Sequence, residues 1–116
     1  MLEKTLILDG KEYSFIVPEN ENVQELKYSV LQASSLIYLN SSQELKAKTN
    51  NSEIESMLEL KFMAEDVHNF RVSDSEILDF WERKSSDFGY AFEKSDLEEI
   101  LHLENLYLKL IKVFPD

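Results

Sequence analysis

The chain of 116 residues contains no cysteine, and it has only two glycines and two prolines. Without cysteine it can form neither a disulfide nor a cysteine-based zinc site, and it has no thiolate nucleophile. Two glycines are too few for a glycine-rich loop that cradles phosphates. The scarcity of glycine, together with abundant Leu, Glu, Lys and Ser, favours a largely helical chain.

Long apolar runs are also missing, since no stretch approaches the roughly 20 residues needed to cross a bilayer. The first ten residues, MLEKTLILDG, lack the basic region and the apolar stretch of a signal peptide. We therefore expect a cytoplasmic protein with no membrane partner. The hydrophobic fraction of 43%, which includes thirteen aromatic residues, is enough for one core, so we predict a single domain over residues 1–116.

Basic residues are few, because 12 Lys and Arg oppose 23 Asp and Glu and give a formal net charge of −11. Phosphate recognition needs clustered Lys and Arg, so direct binding to nucleic acid is disfavoured. Residues 52–104 hold fifteen acids and five bases, which is nearly the whole excess. This concentration favours a basic partner protein, and the alternative is that the charge only maintains solubility.

A β-hairpin is predicted at the start of the chain, where Asp9-Gly10 joins the β-prone runs KTLIL and KEYSFIV. A type I′ turn requires positive φ at both central residues, and Asp-Gly is a preferred pair for it. The implied register sets Leu8 opposite Lys11 and Leu6 opposite Tyr13, and one face then collects the apolar residues. A lone hairpin is marginally stable, so this face must cover helices. The apolar face consists of Leu2, Leu6, Leu8, Tyr13, Phe15 and Val17.

Periodic apolar residues predict four helices, at 22–40, 52–68, 74–86 and 95–113. Ser-x-x-Glu capping boxes mark the starts of the last three, at Ser52, Ser73 and Ser95. Residues 40–51 are predicted to be a loop with at most one helical turn. A strand remains the alternative for 52–68, and 87–93 is either a loop or a short strand. We predict the α+β class, with the hairpin packed on about four helices; the alternative is a mostly helical bundle with the hairpin as an appendage.

Two histidines each follow a glutamate by three residues, in Glu65-x-x-His68 and Glu99-x-x-His102. Paired Glu-x-x-His motifs bind two metal ions in ferritin-like bundles, and Glu25 and Glu82 could complete such a site. Sixteen glutamates make these spacings frequent by chance, and the polar stripe of the last helix places His102 on its solvent side, beside Glu98. We predict no metal, no cofactor and no catalytic residue, so the chain is not expected to be an enzyme.

Aromatic residues lie within the acidic segment, at Phe80, Trp81, Phe88, Tyr90 and Phe92. Aromatic anchors ringed by charge are typical of the residues that dominate binding energy at interfaces, although the alternative is that most of them belong to the core. The residues predicted to contact a partner are Asp74, Glu76, Asp79, Glu82, Asp87 and Tyr90.

These observations favour an acidic inhibitor or neutraliser that covers a basic surface of a partner protein. Immunity proteins, antitoxins and nucleic-acid mimics share this physics, in which carboxylates stand in for phosphates. The alternative function is an assembly or secretion chaperone, or a structural component of a larger complex. For that role the exposed Ile7 and Ile16 of the hairpin would suit the addition of a strand from a partner.

Overall fold

The computed structural model describes residues 1–67, 73–90 and 92–114, and of residues 64–67 it describes only the backbone. Two strands, β1 (Leu2–Leu8) and β2 (Lys11–Val17), form an antiparallel sheet at the start of the chain. The helices of the described ranges are α1 (Val30–Asn40), α2 (Gln43–Lys48), α3 (Asn51–Val67), α4 (Asp74–Asp87) and α5 (Lys94–Leu110). The fold is α+β with the hairpin first, as predicted.

The hairpin has the predicted register, with Leu8 opposite Lys11 and Leu6 opposite Tyr13. Asp9 and Gly10 both have positive φ, 53° and 80°, as the type I′ turn requires. Phe15 and Val17 are buried in the same cluster as the apolar residues of the helices. The hairpin is therefore part of the core, and the alternative of a helical bundle with an appended hairpin is excluded.

Asn40, the last residue of α1, covers one edge of the sheet. Its Oδ1 accepts a hydrogen bond of 2.7 Å from the backbone N–H of Ile16, and its Nδ2 donates one of 3.0 Å to the carbonyl of the same residue. A side-chain amide offers the same donor and acceptor as a peptide group. At Ile16 the outer edge of β2 is thus bonded to α1 as if to another strand.

The prediction of a helix over 22–40 is wrong in its first eight residues, because α1 begins only at Val30. Ser29 caps the helix, and its Oγ accepts a hydrogen bond from the N–H of Gln32. Leu26 has a φ of 60° and donates its N–H to the carbonyl of Ile111 over 2.7 Å. The segment before α1 is therefore bonded to the end of α5, and that contact replaces helical hydrogen bonds.

The capping predictions had mixed outcomes. Ser73 caps α4 as predicted, and its Oγ accepts from the N–H of Glu76. The predicted caps at Ser52 and Ser95 are wrong, because the capping residue of each helix lies two positions earlier. The Oδ1 of Asn50 accepts from the N–H of Glu53 at the start of α3, and α5 begins after Glu93. Where several residues could cap a helix, tertiary packing decides which one does.

Three segments whose secondary structure the sequence left open are helical or turn in the structure. Residues 51–67 are helical, and the strand alternative for this segment is excluded. The described residues after Asp87 form a turn at Gly89, whose φ is 82°, and contain no strand. The polar segment between α1 and α3 contains the six-residue helix α2. The five helices of the described chain pack around one core.

Trp81 belongs to this core and is completely buried. Its indole Nε1 donates a hydrogen bond of 2.6 Å to the carbonyl of Met57, which joins α4 to α3. A buried indole N–H needs such a partner because it cannot bond to water. Trp81 is therefore a core residue and is not available as an interface anchor.

Two acids that the sequence counts toward an acidic surface are buried instead. Glu104 is completely buried on α5, where it accepts hydrogen bonds from Nζ of Lys61 at 2.5 Å and from the hydroxyl of Tyr28 at 2.6 Å. Asp96 is also buried and accepts a hydrogen bond of 3.0 Å from Nζ of Lys48. That hydrogen bond raises the pKa of Lys48. Both carboxylates link α5 to other parts of the chain through hydrogen bonds, and they do not contribute free negative charge to the surface.

Candidate protein-binding surface

Helix α4 is held to the core by one side and leaves the other in solvent. Ile77, Leu78, Trp81 and Ser85 are buried and recur at steps of one, three and four residues, as expected for one helix face. The cap at Ser73 fixes the start of the helix, and Asp74 and Glu76 lie in its first turn. Negative charge at a helix N-terminus is favoured by the helix dipole. The acidic start is thus partly a structural feature of the helix.

The five acids that the sequence predicts as partner-binding residues are all exposed on α4. Two bases, Arg83 and Lys84, accompany them on the same helix. Arg83 lies four residues from both Asp79 and Asp87, and its guanidinium lies over the ring of Phe80, with 5.9 Å from Cζ to the ring centroid. The surface is therefore acidic in excess but not uniformly so. The five acids are Asp74, Glu76, Asp79, Glu82 and Asp87.

Asp79 also forms an ion pair with Lys94 from the start of α5, with 3.4 Å between Oδ1 and Nζ. Both side chains are largely exposed, and an ion pair in that setting contributes about 0–1 kcal/mol. A partner cation can therefore displace Lys94 from Asp79 at little cost in free energy.

Tyr90, the sixth predicted residue, lies beyond the end of α4 and apart from the five acids of that helix. Its ring is half-buried and packs edge-to-face on Phe92, with 5.9 Å between the ring centroids. It lines a cleft of about 290 Å³ between α3 and the turn that follows α4. The other lining residues are Ser56, Glu59, Leu60, Met63 and Phe88.

This cleft has exposed apolar walls. The side chain of Phe88 is 65% exposed and that of Met63 is 57% exposed, although both are large and apolar. Glu59 lines the same cleft and Asp87 precedes Phe88 in the chain, so carboxylates stand beside the apolar surface. Exposed apolar patches with polar rims are typical of interaction sites.

Sequence reasoning named Phe88 among the aromatics but did not select it, and it missed Met63 and Glu59. Phe88 follows Trp81 by seven residues and Ser85 by three, so helical periodicity assigns it to the buried side. The helix ends at Asp87, and Gly89 turns the chain with a φ of 82°, which leaves the ring in solvent. Gly89 was the available signal, because glycine at this φ marks the end of a helix.

The residues weighed for a di-metal site have other roles where the structure describes them. The carboxylate of Glu99 accepts hydrogen bonds from the N–H and the hydroxyl of Ser42, at 2.6 and 2.9 Å. The ring of His102 packs on that of Tyr13, with 4.6 Å between centroids, and it is not paired with Glu98 as the sequence suggested. Glu25 pairs with Lys112 over 2.7 Å. His68 and the side chain of Glu65 lie outside the described residues.

Comparison with protein-family models, with curated proteins and with solved structures finds no match to this chain. Among the helices of the described ranges, none combines the length and the apolar character that spanning a bilayer requires. The interpretation of the surface therefore rests on its own chemistry.

Proposed function

We propose that this chain is a cytoplasmic protein-binding module of the inhibitor or neutraliser kind, which covers a basic surface of a partner protein. It docks through the exposed side of α4 and through the cleft that contains Phe88 and Tyr90. The observation that carries the proposal is the exposed ring of Phe88 beside Asp87 and the apolar cleft.

The apolar and acidic parts of this surface have different tasks. Covering the exposed part of the Phe88 ring contributes about 1–2 kcal/mol to binding. Since about 1.4 kcal/mol changes a dissociation constant tenfold, this contact strengthens binding roughly tenfold. The carboxylates of α4 accelerate the approach of a basic surface and disfavour an acidic one. Affinity therefore comes mainly from the cleft, and selectivity for a basic partner comes from the helix.

The second candidate function, an assembly chaperone or a structural component, is favoured by the edge of β1. Ile7 is 53% exposed there, and an extended segment of a client protein could add to the strand. Ile16, the other residue predicted for this role, is unsuitable because both of its backbone groups are bonded to Asn40.

The proposal is tested by capturing proteins from extracts of the native cells on the immobilised chain, at low and at high salt. Two variants remove the two parts of the surface, Phe88→Ala for the anchor and the pair Asp79→Asn with Asp87→Asn for the charge. The matched control is Glu12→Gln with Glu44→Gln, which makes the same charge change at exposed positions elsewhere.

We expect one basic protein to bind the wild type and the control at low salt and to be released at high salt. Phe88→Ala should lower its affinity about tenfold, from the apolar contribution given above. Equal capture by all variants would show that the binding surface lies elsewhere. Partners that stay bound at high salt, and that bind both variants as well as the wild type, would favour the chaperone function.

A further inference from the structure

Among the described residues, no side chain bonds the outer edge of β1 as Asn40 bonds Ile16 of β2. In an antiparallel pair, opposite residues alternate between those that bond to each other and those whose backbone groups point outward. Ile16 directs its N–H and carbonyl outward to Asn40, so its partner Glu3 also points outward. By alternation, Thr5 and Ile7 do the same. The sheet of the described chain has two strands, so these outward groups have no strand beside them.

Apolar side chains are exposed at both ends of β1 and beyond the end of α5. Leu2 is 44% exposed and Ile7 is 53% exposed, and Phe114, beyond the end of α5, is 38% exposed. Two grooves of about 440 and 410 Å³ flank the strand, and Ile7 and Lys109 line both of them. Natural edge strands are usually blocked by proline, by charged side chains, by a bulge or by a covering element. The charged residues of β1, Glu3 and Lys4, lie in its first half. Leu2–Leu8 contains no proline, and its register with β2 is continuous.

The charge of the hairpin indicates what can cover this edge. Residues 2–17 hold three acids and two lysines, whereas residues 52–104 hold fifteen acids and five bases. A basic partner is attracted to the acidic part of the chain and gains little from the hairpin. The nearly neutral edge is best complemented by another neutral edge, and a second copy of β1 provides one.

Pairing centred on Thr5 is the antiparallel register that joins all seven residues of β1, and the residue pairs disfavour the two registers next to it. Antiparallel pairing centred on Lys4 would place two lysines opposite each other, and pairing centred on Leu6 would place Glu3 opposite Asp9. Both registers are disfavoured, because like charges directly opposite on paired strands destabilise them. Pairing centred on Thr5 sets Thr5 opposite itself, Leu2 opposite Leu8 and Lys4 opposite Leu6, with no like charges facing.

We propose that β1 pairs with β1 of a second copy, antiparallel and about a two-fold axis at Thr5, so that two hairpins form a four-stranded sheet. The exposed Leu2 of each copy is then covered by Leu8 of the other. Contact of this kind is isologous, as in most homodimers. It uses a surface separate from α4 and the Phe88 cleft.

Cysteine cross-linking tests the register directly, because the natural chain has no cysteine. At the two-fold axis the Thr5→Cys residues are opposite each other, about 5.5 Å apart between Cα atoms, which is within disulfide range. Under mild oxidation this variant should form a disulfide-linked dimer. The matched control Ile7→Cys should not, because its two copies are four residues apart along the strands, roughly 13 Å. Cross-linking of both variants at equal rates, or of neither, would overturn the register.

Sedimentation equilibrium tests the dimer without a covalent bond. Thr5→Pro removes an outward N–H that the hairpin does not use but the dimer does, so the fold should persist while the dimer dissociation constant rises at least tenfold. Glu12→Pro makes the same change on the edge of β2 and should leave the dimer unchanged. Circular dichroism confirms that both variants fold. A wild-type chain that stays monomeric at the highest concentration measured would overturn the proposal.

Salt separates this proposal from the docking function. Two chains of net charge −11 repel each other, and salt screens that repulsion, so the dimer should strengthen as salt rises. Docking of a basic partner should weaken over the same range. Weakening of the dimer with salt would contradict pairing through the neutral edge, and it would leave the docking function unaffected.

Discussion

Replacing Lys61 by Met tests how the buried ion pair between α3 and α5 contributes to stability. Glu104 is completely buried, and its carboxylate has Nζ of Lys61 on one oxygen and the hydroxyl of Tyr28 on the other. Removing the lysine leaves a buried carboxylate with one neutral donor. Breaking a buried pair in this way costs about 3–5 kcal/mol. A domain of this size has only about 5–15 kcal/mol of stability in total, so the loss should be large.

Urea denaturation at neutral pH measures this effect, with the free energy of unfolding extrapolated to water. The matched control is Lys27→Met, at an exposed lysine, where we expect a change within about 0.5 kcal/mol. The double variant Lys61→Met with Glu104→Leu removes both charges. It should be more stable than Lys61→Met alone by roughly 2 kcal/mol, because no uncompensated charge stays buried. The hydroxyl of Tyr28 still loses its acceptor in that variant.

Two results would refute this reasoning. A loss below about 1 kcal/mol for Lys61→Met would show that another group or water compensates the carboxylate of Glu104, since an unpaired buried charge costs more. A double variant no more stable than Lys61→Met alone would show that the uncompensated charge of Glu104 is not what destabilises the single variant. With Glu104→Leu as the second single variant, a double-mutant cycle reports the coupling between the two side chains.

Two further predictions concern α1 and α5. Asn40→Ala should lower the free energy of unfolding by about 1–3 kcal/mol in urea denaturation, because it leaves both backbone groups of Ile16 without their partner; an unchanged midpoint would mean that water replaces the amide fully. Burial raises the pKa of Tyr107, so above about pH 10 the unfolded chain ionises first and stability falls as pH rises. Stability of Tyr107→Phe should fall less steeply in alkaline solution, and identical slopes for the two proteins would argue against this assignment.

The hairpin could be predicted from the sequence because its determinants are local. The Asp9-Gly10 turn and the alternation of apolar residues specify the same register, and neither depends on the rest of the chain. The start of α1 had a local signal in Ser29-x-x-Gln32, but the apolar period that begins at Val23 conceals it. The segment before Ser29 is held outside the helix by the hydrogen bond from Leu26 to Ile111, residues that are far apart in the chain.

The candidate site was predictable only in part for a similar reason. The five acids of α4 are exposed as expected, since charged residues opposite a buried stripe face water. Glu104 belongs to the same acidic run, but its partner Lys61 is 43 residues away, and no local pattern reveals such a pairing. Phe88 follows the periodicity of buried residues and is exposed because the helix stops one residue before it.

Asn40 limits how far the sheet of this protein can grow. Its amide occupies both backbone groups of Ile16, so a strand added at the outer edge of β2 cannot continue its hydrogen bonds past that residue. A sheet that is open along both edges can add strands without limit and become a fibre. The amide shortens the ladder that a further strand could form on this side of the sheet, and the edge of β1 is left as the longer one. One side-chain amide at the end of a helix thus favours a finite pair over open-ended polymerisation.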